Sequence, residues 1–73
     1  MPKLPVLSGK ELIKALEKAG FRRVRKRGSH ISLEKGPYRN VVPLHDELAK
    51  GTLHGIMKQC GLTRENLLEL LET

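Results

Sequence analysis

A histidine beside a basic segment is the part of this sequence with the clearest potential for chemistry. His30 follows Gly28 and Ser29, and residues 22–27 just before them read Arg-Arg-Val-Arg-Lys-Arg. A neutral imidazole can act as a general base, and neighbouring cations can hold a phosphate and stabilise developing negative charge. His30 is therefore a candidate catalytic residue in a phosphate-binding site. The alternative is a solvated surface histidine beside a turn.

The basic segment favours binding to phosphate groups. Glu34 is the only acidic residue between Phe21 and Val42, so little negative charge offsets the cations there. The alternative is that Lys and Arg only protect an exposed edge strand from aggregation. With Phe21 and Tyr38 as the only aromatic residues, contacts should be mainly to phosphate and sugar. The candidate binding residues are Arg23, Arg25, Lys26, Arg27 and Ser29.

Three further residues are auxiliary candidates: His45, Tyr38 and Lys50. His45 is either a second proton carrier or a hydrogen-bonded residue that holds its loop. Lys50 precedes a predicted helix, whose free N–H groups form either an anion site or an ordinary helix start. The histidines and Cys60 match no zinc-ligand spacing, and no phosphate-binding loop of the Lys-Ser/Thr type is present. We expect no metal and no cofactor.

Length and charge limit the classes of protein to consider. The chain has 73 residues, with 14 Lys plus Arg against 8 Asp plus Glu, a net charge of +6. We expect one domain over residues 1–73 that is attracted to polyanions. Cys60 is the single cysteine, and the first residues contain no long apolar run. A cytoplasmic setting is therefore expected.

The N-terminal third predicts an extended arm and a helix. Residues 1–7 contain two prolines and should form the arm. Ser8 and Glu11 have the spacing of a capping box, and Gly20 is placed to end the helix in the left-handed conformation.

Three short strands are predicted next, at residues 21–26, 29–34 and 38–43. A two-residue turn at Arg27-Gly28 would place Val24 opposite Ile31 and so pair apolar with apolar. Arg27 is not a preferred residue for such a turn, so a longer loop with a slipped register is the alternative.

The alternation along the second strand places His30 on the open face of the sheet. Arg25 would lie opposite His30 in this register. Arg23 and Arg25 would both share the face of His30 if Val24 is in the core.

The C-terminal third predicts two helices. Leu53, Ile56, Met57 and Cys60 form an apolar stripe that Gly61 ends, and Thr63 caps a short leucine-rich helix. The last helix either completes the core or offers a surface to a partner. The predicted fold is α+β, with the order α-β-β-β-α, a short extra C-terminal helix, and a three-stranded antiparallel sheet covered by helices on one face.

Four segments together resemble the HicA toxin family, also called YcfA-like. They are Gly28-Ser29-His30 with the hydrophobic strand after it, residues 41–45, residues 50–53 and residues 56–63. The resemblance covers nearly the whole chain and implies a double-stranded-RNA-binding-domain-like fold. It also implies an mRNA interferase with His30 as its catalytic residue and a HicB-like antitoxin as its partner. The Pro-containing start before the first helix departs from the commoner pattern and is assigned to packing or antitoxin contact.

The resemblance leads to a hypothesis for the reaction. His30 would take the proton from a ribose 2′-OH, which attacks the adjacent phosphodiester without a metal. A general acid must protonate the leaving oxygen, and the candidates are His45, Tyr38 and a lysine. Two other functions are possible for such a chain: a non-catalytic RNA-binding module of the same fold, and an interaction protein that binds through its last helix.

Overall fold

The computed structural model describes residues 4–72 and has the predicted α+β architecture. Its three strands form one antiparallel sheet in the order β1-β2-β3, and the helices pack on one face of it. The elements in chain order are α1 (Gly9–Lys18), β1 (Arg22–Arg27), β2 (His30–Lys35), β3 (Tyr38–Pro43), α2 (Lys50–Cys60) and α3 (Arg64–Glu72).

Local hydrogen bonds set both ends of α1. The backbone N–H of Glu11 donates to the Ser8 hydroxyl oxygen at 3.1 Å, and the Ser8 N–H donates to Glu11 Oε1 at 3.0 Å. This confirms the predicted capping box. At the other end Gly20 has φ 103°, and the N–H of Phe21 donates to the Leu16 carbonyl at 3.0 Å. The left-handed glycine turns the chain out of the helix and into β1.

The first hairpin turn lies one residue later than predicted. Arg27 is opposite His30, so the two loop residues are Gly28 and Ser29. Gly28 has φ 59° and occupies the first loop position, where a type II′ turn requires a glycine. Lys26 is opposite Ile31, and the predicted Val24–Ile31 register is therefore wrong.

β1 contains a bulge that separates the faces of two arginines. Arg23 is opposite Leu33 and Arg25 is opposite Ser32, which leaves Val24 without a partner on β2. Val24 is 44% exposed and does not enter the core. Because Leu33 and Ser32 are consecutive, they point to opposite faces, and so do the two arginines. The prediction that both arginines share the face of His30 is wrong.

The core lies between the sheet and the helices. Leu33 on β2 and Val42 on β3 are fully buried against Leu12 and Leu16 of α1. Leu67 of α3 is also fully buried, and its neighbours Leu70 and Leu71 pack on the same cluster. The last helix therefore completes the core, which was one of the two predicted roles for its leucines.

The end of α2 and the start of α3 are as predicted, whereas α2 begins at Lys50, a residue that was predicted to precede the helix. Gly61 ends α2 with φ 67°. The N–H of Asn66 donates to the Thr63 hydroxyl oxygen, and the N–H of Thr63 donates to Asn66 Oδ1, each at 3.1 Å. These reciprocal bonds cap α3.

The predicted N-terminal arm forms no helix or strand at residues 4–7, where the structure describes it. Leu7 is buried, and its carbonyl accepts a hydrogen bond from the N–H of Leu48 at 2.7 Å. Positions 1–3 of the arm lie outside the described residues. Among residues 4–72, no helix has the length and apolar character needed to cross a bilayer.

A polar contact joins β3 to α2 inside the core. Asn40 is buried, and its Nδ2 lies 3.0 Å from the Cys60 Sγ. Its Oδ1 is also buried and has no hydrogen-bond partner within the described chain. Burial raises the pKa of the Cys60 thiol to about 11. The thiol therefore stays protonated in the folded protein through neutral pH.

The raised pKa predicts a loss of stability at high pH. The unfolded chain releases the thiol proton near pH 8.5, whereas the folded chain keeps it until about pH 11. The free energy of unfolding should therefore fall across this interval, and Cys60→Ala should lose that part of the dependence. Urea unfolding of both proteins at about pH 8 and about pH 10.5 measures the difference. The same pH dependence in both proteins would contradict the prediction.

Candidate nucleic-acid interface

The face of the sheet away from the helices is basic. The pairing of β1 with β2 places Arg22, Arg25 and Arg27 on this face, and every residue of β1 is exposed. Glu34 of β2 is the acid there, and its Oε2 lies 3.1 Å from the Nε of Arg39 on β3. Since Arg39 already pairs with Glu34, the charges of Arg25 and Arg27 on this face remain uncompensated. Neither Arg25 nor Arg27 makes an ion pair with another described residue.

His30 lies at the hairpin end of this basic face. It is exposed, begins β2, and is directly opposite Arg27. Opposed residues on antiparallel strands have Cβ atoms about 5 Å apart, so both side chains can contact one phosphodiester. Arg25 is the next residue of β1 on the same face. The structure thus brings two of the four predicted basic residues to His30.

The other two, Arg23 and Lys26, lie toward the opposite side of the sheet. The Nε of Arg23 is 3.4 Å from the Oε2 of Glu17 on α1, which ties Arg23 to the helix layer. Lys26 is opposite the core residue Ile31 but is exposed at the sheet edge. Their charges add to the positive electrostatic potential around β1, but their side chains do not lie beside His30.

The segment that carries His45 is attached to the turn before His30. The Leu44 N–H donates to the Ser29 carbonyl oxygen at 2.7 Å, just beyond the pair formed by His30 and Pro43. His45 is exposed and comes next in the chain. His45 and Ser29 therefore lie at the same end of the sheet as His30, and the Ser29 backbone supports the turn.

Gly9 at the start of α1 lets this segment approach the helix. The Gly9 N–H donates to the His45 carbonyl oxygen at 2.9 Å. A Cβ atom at Gly9 would overlap the carbonyl oxygen of Pro43. The start of α1 therefore holds the loop after β3 in place through this hydrogen bond and the close backbone contact.

Tyr38 and Lys50, the remaining auxiliary candidates, are not brought to His30. Tyr38 is opposite Lys35 at the far end of β2, and its ring packs against Gly61, whose added Cβ would lie 3.1 Å from the Tyr38 Cε1. His30 and Lys35 are the two ends of β2, about 17 Å apart along the strand. Lys50 lines a separate groove between the arm and the start of α2.

The sequence analysis missed two arginines of the open face, Arg22 and Arg39. The alternation along β3 was the available signal for Arg39, because burial of Val42 places Arg39 and Val41 on the other face. Arg22 could not be assigned without the bulge. Across residues 4–72, no three His, Cys, Asp or Glu side chains are grouped so that they could hold a metal ion.

The order of elements, α-β-β-β-α with one further helix, and the exposed basic sheet define a small α+β domain. A scan of family models matches residues 9–62 to the model described as the HicA toxin of bacterial toxin-antitoxin. The match covers most of the chain, from α1 through α2, and the chain belongs to the HicA toxin family. A search of curated proteins found no match. Family membership makes the protein a toxin and implies an antitoxin partner.

The packing of Gly9 against the loop after β3 predicts a specific cost of adding a methyl group. Gly9→Ala should lower the free energy of unfolding by about 1–3 kcal/mol, because the new Cβ displaces the backbone at Pro43. Gly55→Ala in α2 is the matched control, since its Cβ would meet no atom within 4 Å. That change should stabilise the protein by up to about 1 kcal/mol. Urea unfolding measures both, and an unaltered stability of Gly9→Ala would contradict the packing described.

Proposed function

We propose that this toxin is an endoribonuclease, an mRNA interferase, in which His30 is the catalytic base. The observation that carries the proposal is the exposed His30 directly opposite Arg27 on a basic sheet face. An RNA backbone lying along β1 would bring a phosphodiester between these two side chains. In this proposal residues 1–73 act as one HicA-like domain in the cytoplasm, where mRNA is present.

The proposed reaction uses the RNA's own hydroxyl as the nucleophile. The His30 imidazole takes the proton of a ribose 2′-OH, and the 2′-oxygen forms a bond to the adjacent phosphorus. The bond from phosphorus to the 5′-oxygen breaks, which leaves a 2′,3′-cyclic phosphate and a 5′-hydroxyl. Negative charge increases on the non-bridging oxygens during attack, and Arg27 and Arg25 would stabilise it. The step consumes no water and calls for no metal or cofactor.

The leaving 5′-oxygen needs a proton, and His45 is the favoured donor. Its segment is bonded to Ser29 through the N–H of Leu44, so it lies at the same end of the sheet as His30. Tyr38 is a poorer candidate for the general acid, because it lies opposite Lys35, at the end of β2 away from His30. Lys50 is disfavoured because it lines the separate groove at the start of α2.

The antitoxin partner would be HicB-like and would act by covering the face that carries His30. That face is open and its arginines are exposed, so RNA can reach it unless another protein occupies it. Three arginines of β1 that make no ion pair within residues 4–72 favour an antitoxin surface rich in Asp and Glu.

Removal of the imidazole tests the catalytic role. His30→Ala should lower the rate of RNA cleavage in EDTA by about 10²-fold or more, because it removes the base proposed to take the 2′-OH proton. RNA affinity should change little. His54→Ala removes another exposed histidine, on α2, and should cleave at the parent rate. Fragment analysis with identification of the end groups gives the result.

Two outcomes of this experiment would overturn the proposed nuclease. One is cleavage by His30→Ala at the parent rate. The other is tight, salt-dependent RNA binding by the parent and the variant with no cleavage by either, including in the presence of ribosomes. The second result would assign the chain to the non-catalytic RNA-binding modules.

The two faces of β1 predict different effects for two arginines of the same strand. Arg25→Gln should weaken RNA binding and lower the slope of log affinity against log salt by about 1, because Arg25 lies on the face of His30. Arg23→Gln removes the same charge from the helix side, where Glu17 already pairs with it, and should have the smaller effect. Titrations on the His30→Ala background avoid cleavage. Equal losses for both variants would contradict the proposed binding face.

A further inference from the structure

A shallow cavity of about 460 Å³ lies on the open face of the sheet, between Ser32 and the end of β2 away from His30, and Gln59 of α2 also lines it. Its walls include Arg25 of β1, Ser32 of β2 and Val41 of β3. The volume is within the range of sites that hold small ligands. Ser32 follows His30 by two residues on the same face, a distance of about 7 Å. A nucleotide whose phosphate contacts His30 would bring its base over this cavity.

The walls of the cavity suit the flat faces of a nucleobase. Val24 is 44% exposed and Val41 is 48% exposed, and both line the cavity. Val24 is there because the bulge in β1 leaves it without a partner strand residue. Isolated exposed valines need no explanation, but these two provide apolar surface next to the guanidinium of Arg25. Bases stack on guanidinium planes as they do on aromatic rings.

Phosphate binding does not explain the acid in this cavity. Glu34 lies on the basic face, where a carboxylate repels the RNA backbone. Its side chain is 29% exposed, and Arg39 on β3 holds it through the 3.1 Å contact between Oε2 and Nε. A carboxylate at this position can accept hydrogen bonds from the N–H groups of a base.

The pair formed by Glu34 and Arg39 presents acceptor oxygens beside N–H donors. The pairing edge of guanine has an acceptor, O6, followed by two donors, the N1–H and the N2 amino group. Adenine, cytosine and uracil do not present one acceptor followed by two donors on that edge. Guanine is therefore the base that Arg39 and Glu34 together complement, with the guanidinium at O6 and the carboxylate at the two donors.

We propose that this cavity is a guanine subsite that selects the nucleotide beside the cleaved phosphodiester. The inference rests on the proposed RNA cleavage, since His30 marks the position of the phosphate. Glu34 and Arg39 read the edge of the base, while Val24, Val41 and Arg25 contact its faces.

Binding of short RNAs to the His30→Ala chain tests the subsite without cleavage. The probes are uridine hexamers in which one central position is guanosine, inosine, adenosine or uridine. The guanosine probe should bind about tenfold more tightly than the adenosine and uridine probes. Inosine lacks the N2 amino group and should lose a large part of this preference.

Glu34→Gln on the same background should reduce the guanosine preference to within about twofold. Affinity for the all-uridine hexamer should hold or rise, because the change removes a negative charge from the binding face. Glu17→Gln is the matched control, since Glu17 also pairs with an arginine but lies on the helix side. It should keep the full guanosine preference.

Mapping of the sites cut by the parent chain separates the subsite from the nuclease. Cleavage with no guanine preference on either side of the cut would overturn the subsite and leave the nuclease standing. Guanosine preference in binding without any cleavage would support the subsite and overturn the nuclease. An equal effect of Glu34→Gln and Glu17→Gln on the preference would overturn the subsite.

Discussion

The two-residue turn at Gly28-Ser29 is the constraint on which the rest of the open face depends. Because Gly28 adopts φ 59° at the first loop position, Arg27 and His30 become the closing pair of the hairpin. A shift of the turn by one residue along the chain moves the register of β1 by two, which changes every partner but keeps Arg25 on the face of His30. The pairing of Arg27, rather than Arg25, with His30 therefore follows directly from the turn.

The bulge at Val24 places the basic residues of β1 on two different faces of the sheet. An extra residue in one strand moves all residues beyond it to the other face. Arg23 accordingly joins Glu17 of α1, while Arg25 and Arg27 stay on the open side. The same irregularity leaves Val24 exposed at the cavity on that face. One local distortion thus separates the arginine that pairs with α1 from the arginines of the open face, and it leaves Val24 exposed on that face.

The end of the sheet that carries His30 is also held from the helix layer. The Leu44 N–H bonds to the Ser29 carbonyl, and the Gly9 N–H bonds to the His45 carbonyl. Since a side chain at Gly9 would overlap the backbone of Pro43, α1 and the loop after β3 fit only with glycine there. The start of α1 thereby contributes to the position of the loop that carries His45.

The sequence by itself determined the elements whose signals are local. The capping residues Ser8 and Thr63, the helix ends at Gly20 and Gly61, and the buried side of β2 are all set within a few positions of the chain, and the structure confirms them. The sequence also pointed to His30 and its basic neighbours. Only the tertiary structure decided which of those neighbours face His30, because the register and the bulge depend on the pairing of two separate strands. It likewise decided that Tyr38 lies far from His30 and that Glu34 pairs with Arg39, since both depend on contacts between separate strands or with a helix.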